Sequence, residues 1–234
     1  MWKTTLAILF TFLAGFAYAQ GTLNDDGSSI KPSTPGVATG SSFDATGAVS
    51  TLFAQDNGYA GNMFDVEVTE AVTITGLDCN FTNDPGETGT VQLYYRVGTS
   101  VGNEQNAAAW TFVGEDTNVV TQGVNVPTPV NITGLTLAPG QVYGFYVFSS
   151  TYATPRVGYT DGAATTYSDG LMTITTHCGN NDVLFGSFFN DRMWNGTIYY
   201  EYFLSTVPTM SEWGLIVFVI LMFISCIVFL RRRI

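Results

Sequence analysis

Hydrophobic and polar positions divide this chain into four stretches: an apolar block at the N-terminus, a polar lead-in, a long region of short alternating runs, and an unbroken apolar run near the C-terminus. The alternating region starts at about Phe43. Met63-Phe64-Asp65-Val66-Glu67-Val68-Thr69 and Val72-Thr73-Ile74-Thr75 repeat with period two, as strands with one buried face do. The same reading predicts strands over 91–97, 110–113, 118–121, 130–135, 142–148, 156–159, 171–175 and 197–203. Asn83-Asp84-Pro85-Gly86, Gly98, Gly114, Gly123, Pro139-Gly140, Asp161-Gly162 and Asp169-Gly170 supply the turns between them. Only 103–109 hints at a helical turn. Many short strands without helical periodicity predict an all-β ectodomain over 43–206, built as an antiparallel two-sheet sandwich of jelly-roll type. The segments 57–66 and 192–200 are expected to neighbour each other in one sheet and close the domain.

The two apolar ends have different chemistry. Met1 to Ala19 carries one basic residue, Lys3, an apolar core and then Ala17-Tyr18-Ala19 before Gln20, which is the A-x-A pattern of a secretory signal peptide cut after Ala19. Export machinery and signal peptidase are the partners this implies. Residues 20–42 are rich in Gly, Ser, Thr and Pro, the composition of a flexible lead-in. At the other end, 13 of the positions from Leu215 to Leu230 are Leu, Ile, Val or Phe. At about −0.3 to −0.6 kcal/mol each, they favour membrane insertion by about 4 to 8 kcal/mol. A helix over 214–230 spans about 25 Å, the short end for a bilayer core. The basic tail 231–234, with Arg231, Arg232 and Arg233, belongs on the cytoplasmic side, which leaves the ectodomain outside.

The residues in front of that helix are Val207-Pro208-Thr209-Met210-Ser211-Glu212-Trp213. With the helix and the arginines they resemble the IPTL-CTERM protein-sorting signal of Gram-negative bacteria, a relative of the PEP-CTERM signals. That signal has Ile-Pro-Thr-Leu, a Trp three residues later, an apolar helix and a terminal Arg cluster. Val207 and Met210 stand in place of the Ile and Leu, whereas Pro208, Thr209, Trp213 and Arg231 to Arg233 match. The resemblance implies a single-pass inner-membrane precursor, recognition at Pro208-Thr209 by an exosortase-family protease, removal of the helix, and delivery to the cell surface or medium. A permanent anchor is the alternative. It implies nothing about the fold upstream. There, 57–66 and 192–200 look similar to segments of secreted bacterial β-sandwich proteins of no assigned activity.

Charge narrows the partners. Between residues 20 and 206 four basic residues (Lys31, Arg96, Arg156 and Arg192) face 18 acids, all of the chain's 19 except Glu212, so this segment carries about −14 against −11 for the whole chain. Nucleic acid and anionic membranes are poor partners for such a surface. Export makes a Cys79–Cys178 disulfide reasonable, with two buried thiols as the alternative. It would close a loop of about 100 residues and stabilise by about 4.7 kcal/mol in chain-entropy terms.

Catalytic signals are sparse. No G-x-S-x-G, H-E-x-x-H or phosphate-loop sequence occurs, and the single histidine, His177, reads as a surface or loop residue. Asp84, Glu87, Asp161 and Asp169 lie beside turn glycines, where they either hold calcium or serve the turns themselves. No other cofactor is implied. Tyr94-Tyr95 and Tyr199-Tyr200 must each turn one ring away from the core, because strand neighbours face opposite sides. Trp110 and Trp194 are the candidates for contact with surface glycans. These features point to a non-enzymatic cell-surface protein of structural or adhesion type. A carbohydrate-binding module is the first alternative, and a secreted hydrolase using paired carboxylates the second.

Overall fold

The computed structural model describes residues 45–151, 155–203 and 210–231. The signal-peptide region with Ala17, Ala19 and Gln20, the lead-in 20–42, the motif residues Val207, Pro208 and Thr209, and the tail residues Arg232 and Arg233 lie outside the described residues.

The strands, in chain order, are β1 (Ala45–Ser50), β2 (Asn57–Tyr59), β3 (Gly61–Val68), β4 (Val72–Cys79), β5 (Thr88–Val97), β6 (Thr111–Val120), β7 (Thr128–Val130), β8 (Thr136–Leu137), β9 (Val142–Ser149), β10 (Val157–Asp161), β11 (Thr166–Ser168), β12 (Met172–Asn180), β13 (Phe188–Asn190), β14 (Arg192–Trp194) and β15 (Gly196–Tyr202). One helix, α1 (Met210–Arg231), follows. A five-stranded sheet runs β1-β15-β4-β7, with β8 also on β4. A seven-stranded sheet runs β11-β12-β3-β9-β5-β6, with β13 also on β12. All strand pairs within them are antiparallel. Taking β1, β3, β4, β5, β6, β7, β9 and β15 as the framework, one sheet holds the first, eighth, third and sixth strands and the other the second, seventh, fourth and fifth. That order is the pair of Greek keys that defines a jelly roll. The insertion between β9 and β15 adds β12 beyond β3 and contributes β10 and β14, which with β2 form a third sheet, β14-β10-β2.

Alternation accounts for the core. In β3, Phe64, Val66 and Val68 join the inter-sheet cluster, while Met63 belongs to a second cluster on the opposite face of the seven-stranded sheet. Val147 and Phe145 of β9 follow the first set, and Tyr146 and Phe148 the second. Phe64 stacks between Phe145 at 5.7 Å and Trp194 at 4.2 Å. The outer cluster is covered by the β12–β13 loop, whose Phe185 meets Tyr94, Trp110 and Tyr146.

Several expectations need correction. The segments 110–113 and 118–121 are one strand, β6. Gly114, Glu115 and Asp116 stay paired with β5, and register shifts at Gly89/Val91 and Leu93/Tyr94 absorb the irregularity. The segment 130–135 instead breaks between β7 and β8, where Gly134 takes φ +89° and its N–H donates to the Ile74 carbonyl at 2.8 Å. The helical hint at 103–109 reduces to a single tight turn, Ala107–Ala109. Closure of the domain is shared: β2 and β14 flank β10 in the small sheet, while β15 lies between β4 and β1, pairing with β1 from Ala45↔Tyr202 to Ser50↔Thr197.

The 22 residues of α1 rise about 33 Å at ~1.5 Å each, enough to cross a bilayer core. The helix begins four residues before 214, while its apolar window, Gly214–Arg231, matches the predicted 214–230 to within one residue. From Gly214 to Leu230 its side chains are exposed and, Ser225 apart, apolar on every side, the pattern of a membrane span and not of an amphipathic surface helix. Ser225 donates its hydroxyl to the Leu221 carbonyl at 2.8 Å, so its polar group is satisfied within the helix.

Candidate functional site

A concave surface lies on the outer face of the five-stranded sheet, and its centre is β15. Tyr199 and Tyr200 are adjacent, so the strand sends one ring each way. Tyr200 is 2% exposed and donates its hydroxyl to Asp169 from inside the core. Tyr199 is 40% exposed on the outer face. Its cross-strand neighbours are Ala48 on β1 and Gly76 on β4, both too small to cover it. A Cβ added at Gly76 would touch nothing within 4 Å, so the space above this floor is open. A bulge in β4, where Thr75 is the extra residue between Ile74 and Gly76, interrupts the flat ladder here.

Asp78, two residues along β4 and only 8% exposed, accepts the Tyr199 hydroxyl on Oδ2 at 2.6 Å. That hydrogen bond, followed by burial and the carboxylate's charge, pushes the phenol up to about 12, so Tyr199 stays a neutral donor at physiological pH. The far wall is Pro129 of β7 and Asn131 just after it. Asn131 is held from behind: its backbone N–H and Nδ2 both donate to Asp116 Oδ2, at 2.8 and 3.1 Å. Burial opposes charge on Asp116, but the N–H groups of Asn131 and Asn118 and the Asn131 amide outweigh it and hold the carboxyl below its usual range. The groove between these walls has a volume of about 670 Å³, within the range of small-molecule sites.

The residues singled out from sequence lie elsewhere. Trp194 is fully buried against Phe64, with its indole N–H near the Cys79 thiol, so it cannot touch a glycan. Trp110 is 8% exposed, donates Nε1–H to the Asn103 carbonyl at 2.9 Å and packs on Tyr146 and Phe185. Both rings are core material, because each has an apolar cluster on its own side of the seven-stranded sheet to join. The same geometry overturns the disulfide. Cys79 and Cys178 are free and buried, Cys79 between the sheets and Cys178 in the outer cluster, with the seven-stranded sheet between them. Desolvation, with Asp78 nearby for one and Glu104 for the other, pushes both thiols up.

Of the four turn acids, Glu87, Asp161 and Asp169 have carboxylates engaged with the protein, and Asp84 engages its backbone carbonyl. Glu87 Oε2 accepts from Asn83 at 2.8 Å, and the Asp84 carbonyl accepts the Thr121 hydroxyl. Asp161 pairs with Arg192 at 2.8 Å, and Asp169 Oδ1 accepts the N–H groups of Leu171 and Met172 at 2.9 and 2.8 Å. Among the described residues no group of three His, Cys, Asp or Glu side chains is placed to hold a metal ion. His177 is more constrained than a loop residue. An irregularity in β12 between Thr176 and Cys178 turns it toward the 98–109 loop, where Nε2 meets Glu104 Oε1 at 2.7 Å.

No protein-family model matches the chain, and no curated protein sequence matches it. The groove is therefore read from its own geometry. It offers one carboxylate, an anchored phenol, an amide and threonine hydroxyls. Asp78 is the one acid among the residues that line it. Sequence reading singled out the Tyr199-Tyr200 step but not Asp78, Gly76 or Asn131, whose relevance depends on strand register.

Proposed function

We propose that this chain is an exported cell-surface protein of structural or adhesion type, made as a single-pass inner-membrane precursor and released through an IPTL-CTERM-like signal. The observation that carries this reading is the sequel to the jelly roll: shortly after β15 comes a 22-residue helix, apolar on all sides and ending in Arg231. A soluble sandwich has no use for such a helix, whereas a secreted domain that must pause at the membrane does. The signal-peptide pattern at Met1 to Ala19 supplies entry to the export route, and Pro208-Thr209 with Trp213 supplies the recognition point for an exosortase-family protease. The acidic segment 20–206 suits life outside the cell, away from nucleic acid.

The test is topological. In pulse-labelled Gram-negative cells, full-length chain should appear first in the inner-membrane fraction, with the sandwich accessible to protease added to spheroplasts. Sandwich protected until the membrane is dissolved would overturn the reading.

A further inference from the structure

We propose that the groove on the outer face of the five-stranded sheet binds saccharide, with a neutral sugar ring laid against Tyr199 and its hydroxyls directed to Asp78 and Asn131. This goes beyond the sorting reading and does not rest on it. A sugar ring presents two chemistries at once, a patch of C–H groups on its face and a rim of hydroxyls at its edge. The groove presents their complements side by side. The Tyr199 ring is an exposed apolar plate with the small residues Ala48 and Gly76 beside it, so a flat ligand meets no bulky neighbour. Because its hydroxyl is tied to Asp78 at 2.6 Å, the plate is already oriented, and little side-chain freedom is lost when a ligand arrives.

Asp78 uses one oxygen for Tyr199 and has another for a ligand hydroxyl; at 8% exposure the carboxylate is largely desolvated, which strengthens such a bond. Asn131 is fixed by Asp116 through two hydrogen bonds, so its amide is a positioned polar group on the opposite wall. Threonines Thr46 and Thr75 complete a rim of hydroxyls.

Other ligand classes fit less well. An anion would meet Asp78 within a segment carrying about −14. A metal ion would find a single carboxylate. A peptide strand needs a free sheet edge with backbone donors, and this is a sheet face. The surviving class is an uncharged saccharide, built of neutral or N-acetylated sugars and not of uronic or sulfated ones.

The experiment is affinity electrophoresis of the full-length chain, solubilised in a detergent with no sugar headgroup, in native gels cast with neutral polysaccharides (β-glucan, galactomannan, xylan, glycol chitin acetylated to neutrality) or with alginate. The wild type should be retarded by at least one neutral polymer and not by alginate. Tyr199→Ala should weaken that retardation about tenfold or more. Gly76→Leu, which fills open space without touching the core, should weaken it comparably, and Phe112→Ala on the other sheet should leave it unchanged. Circular dichroism checks that each variant is folded. The proposal is overturned by migration unaffected by every polymer, by retardation in alginate alone, or by retardation that folded Tyr199→Ala and Gly76→Leu proteins retain.

Discussion

Trp194 and Tyr199 are large aromatics five residues apart at the closing end of the sandwich, and the backbone sends one to the core and the other to solvent. Their substitution should therefore have opposite consequences. Trp194→Ala removes the ring that stacks on Phe64 at 4.2 Å and should cost about 3–5 kcal/mol in urea unfolding. Tyr199→Ala removes a ring 40% exposed and should cost well under half of that. The cysteines give a second contrast. Since Cys79 and Cys178 are free and buried, neither should react with maleimide in the native protein and both should react in denaturant without a reductant. A mass showing them joined would contradict the packing. From sequence alone, a tryptophan is equally suited to a core or a binding face. What decides between them is the side of the sheet on which it falls, and that depends on residues distant in the chain.

At the scale of the element, strands such as β3 and β4 were legible because alternation is local, whereas the closing pair was not. Ser50 and Thr197 are 147 residues apart, yet share a hydroxyl hydrogen bond at 2.8 Å across β1 and β15. A Cβ at Gly47 of β1 would collide with the Tyr200 ring, so Gly47→Val should destabilise by about 1–3 kcal/mol and expose the N-terminal strand first to limited proteolysis. Loops are held by carboxylates in a way the sequence left ambiguous between turn chemistry and calcium. Burial opposes charge on Glu104, but its own N–H, that of Gly102 and the His177 ring outweigh it and hold the carboxyl below its usual range. For Asp169, burial is likewise outweighed by the Met172 N–H and the Tyr200 hydroxyl. Folded-state affinities for the proton are thus lower than unfolded ones, so the contribution to stability is present above the unfolded carboxyl range and is lost as pH falls through about 4 and below. Urea midpoints measured from pH 7 down to 3 should fall in acid, and Glu104→Gln should lower the neutral value and flatten that fall.

For the whole molecule, the jelly roll and the membrane helix are both consequences of pattern, period two in one region and unbroken apolarity in the other. The class of fold could be read because each framework strand announces itself; in the insertion between β9 and β15 the predicted strands 156–159 and 171–175 correspond to β10 and the first half of β12, whereas β11, β13 and β14 could not be read because they are three-residue strands with no period to see. The groove escaped for a related reason: Gly76 and Asp78 belong to β4, Tyr199 to β15 and Asn131 to the segment after β7, and only the register β15–β4–β7 assembles them. The tail was the most legible part, since hydrophobicity and arginines need no partner to be read. It also carries the central proposal, an exported sandwich whose anchor is temporary. The direct measurement is mass spectrometry of both ends of the protein recovered from the cell surface and medium. The account predicts a first residue at Gln20, a last residue near Pro208-Thr209, and no peptide from 214–234. Surface protein that keeps the helix and its arginines, or that begins at Met1, would contradict it.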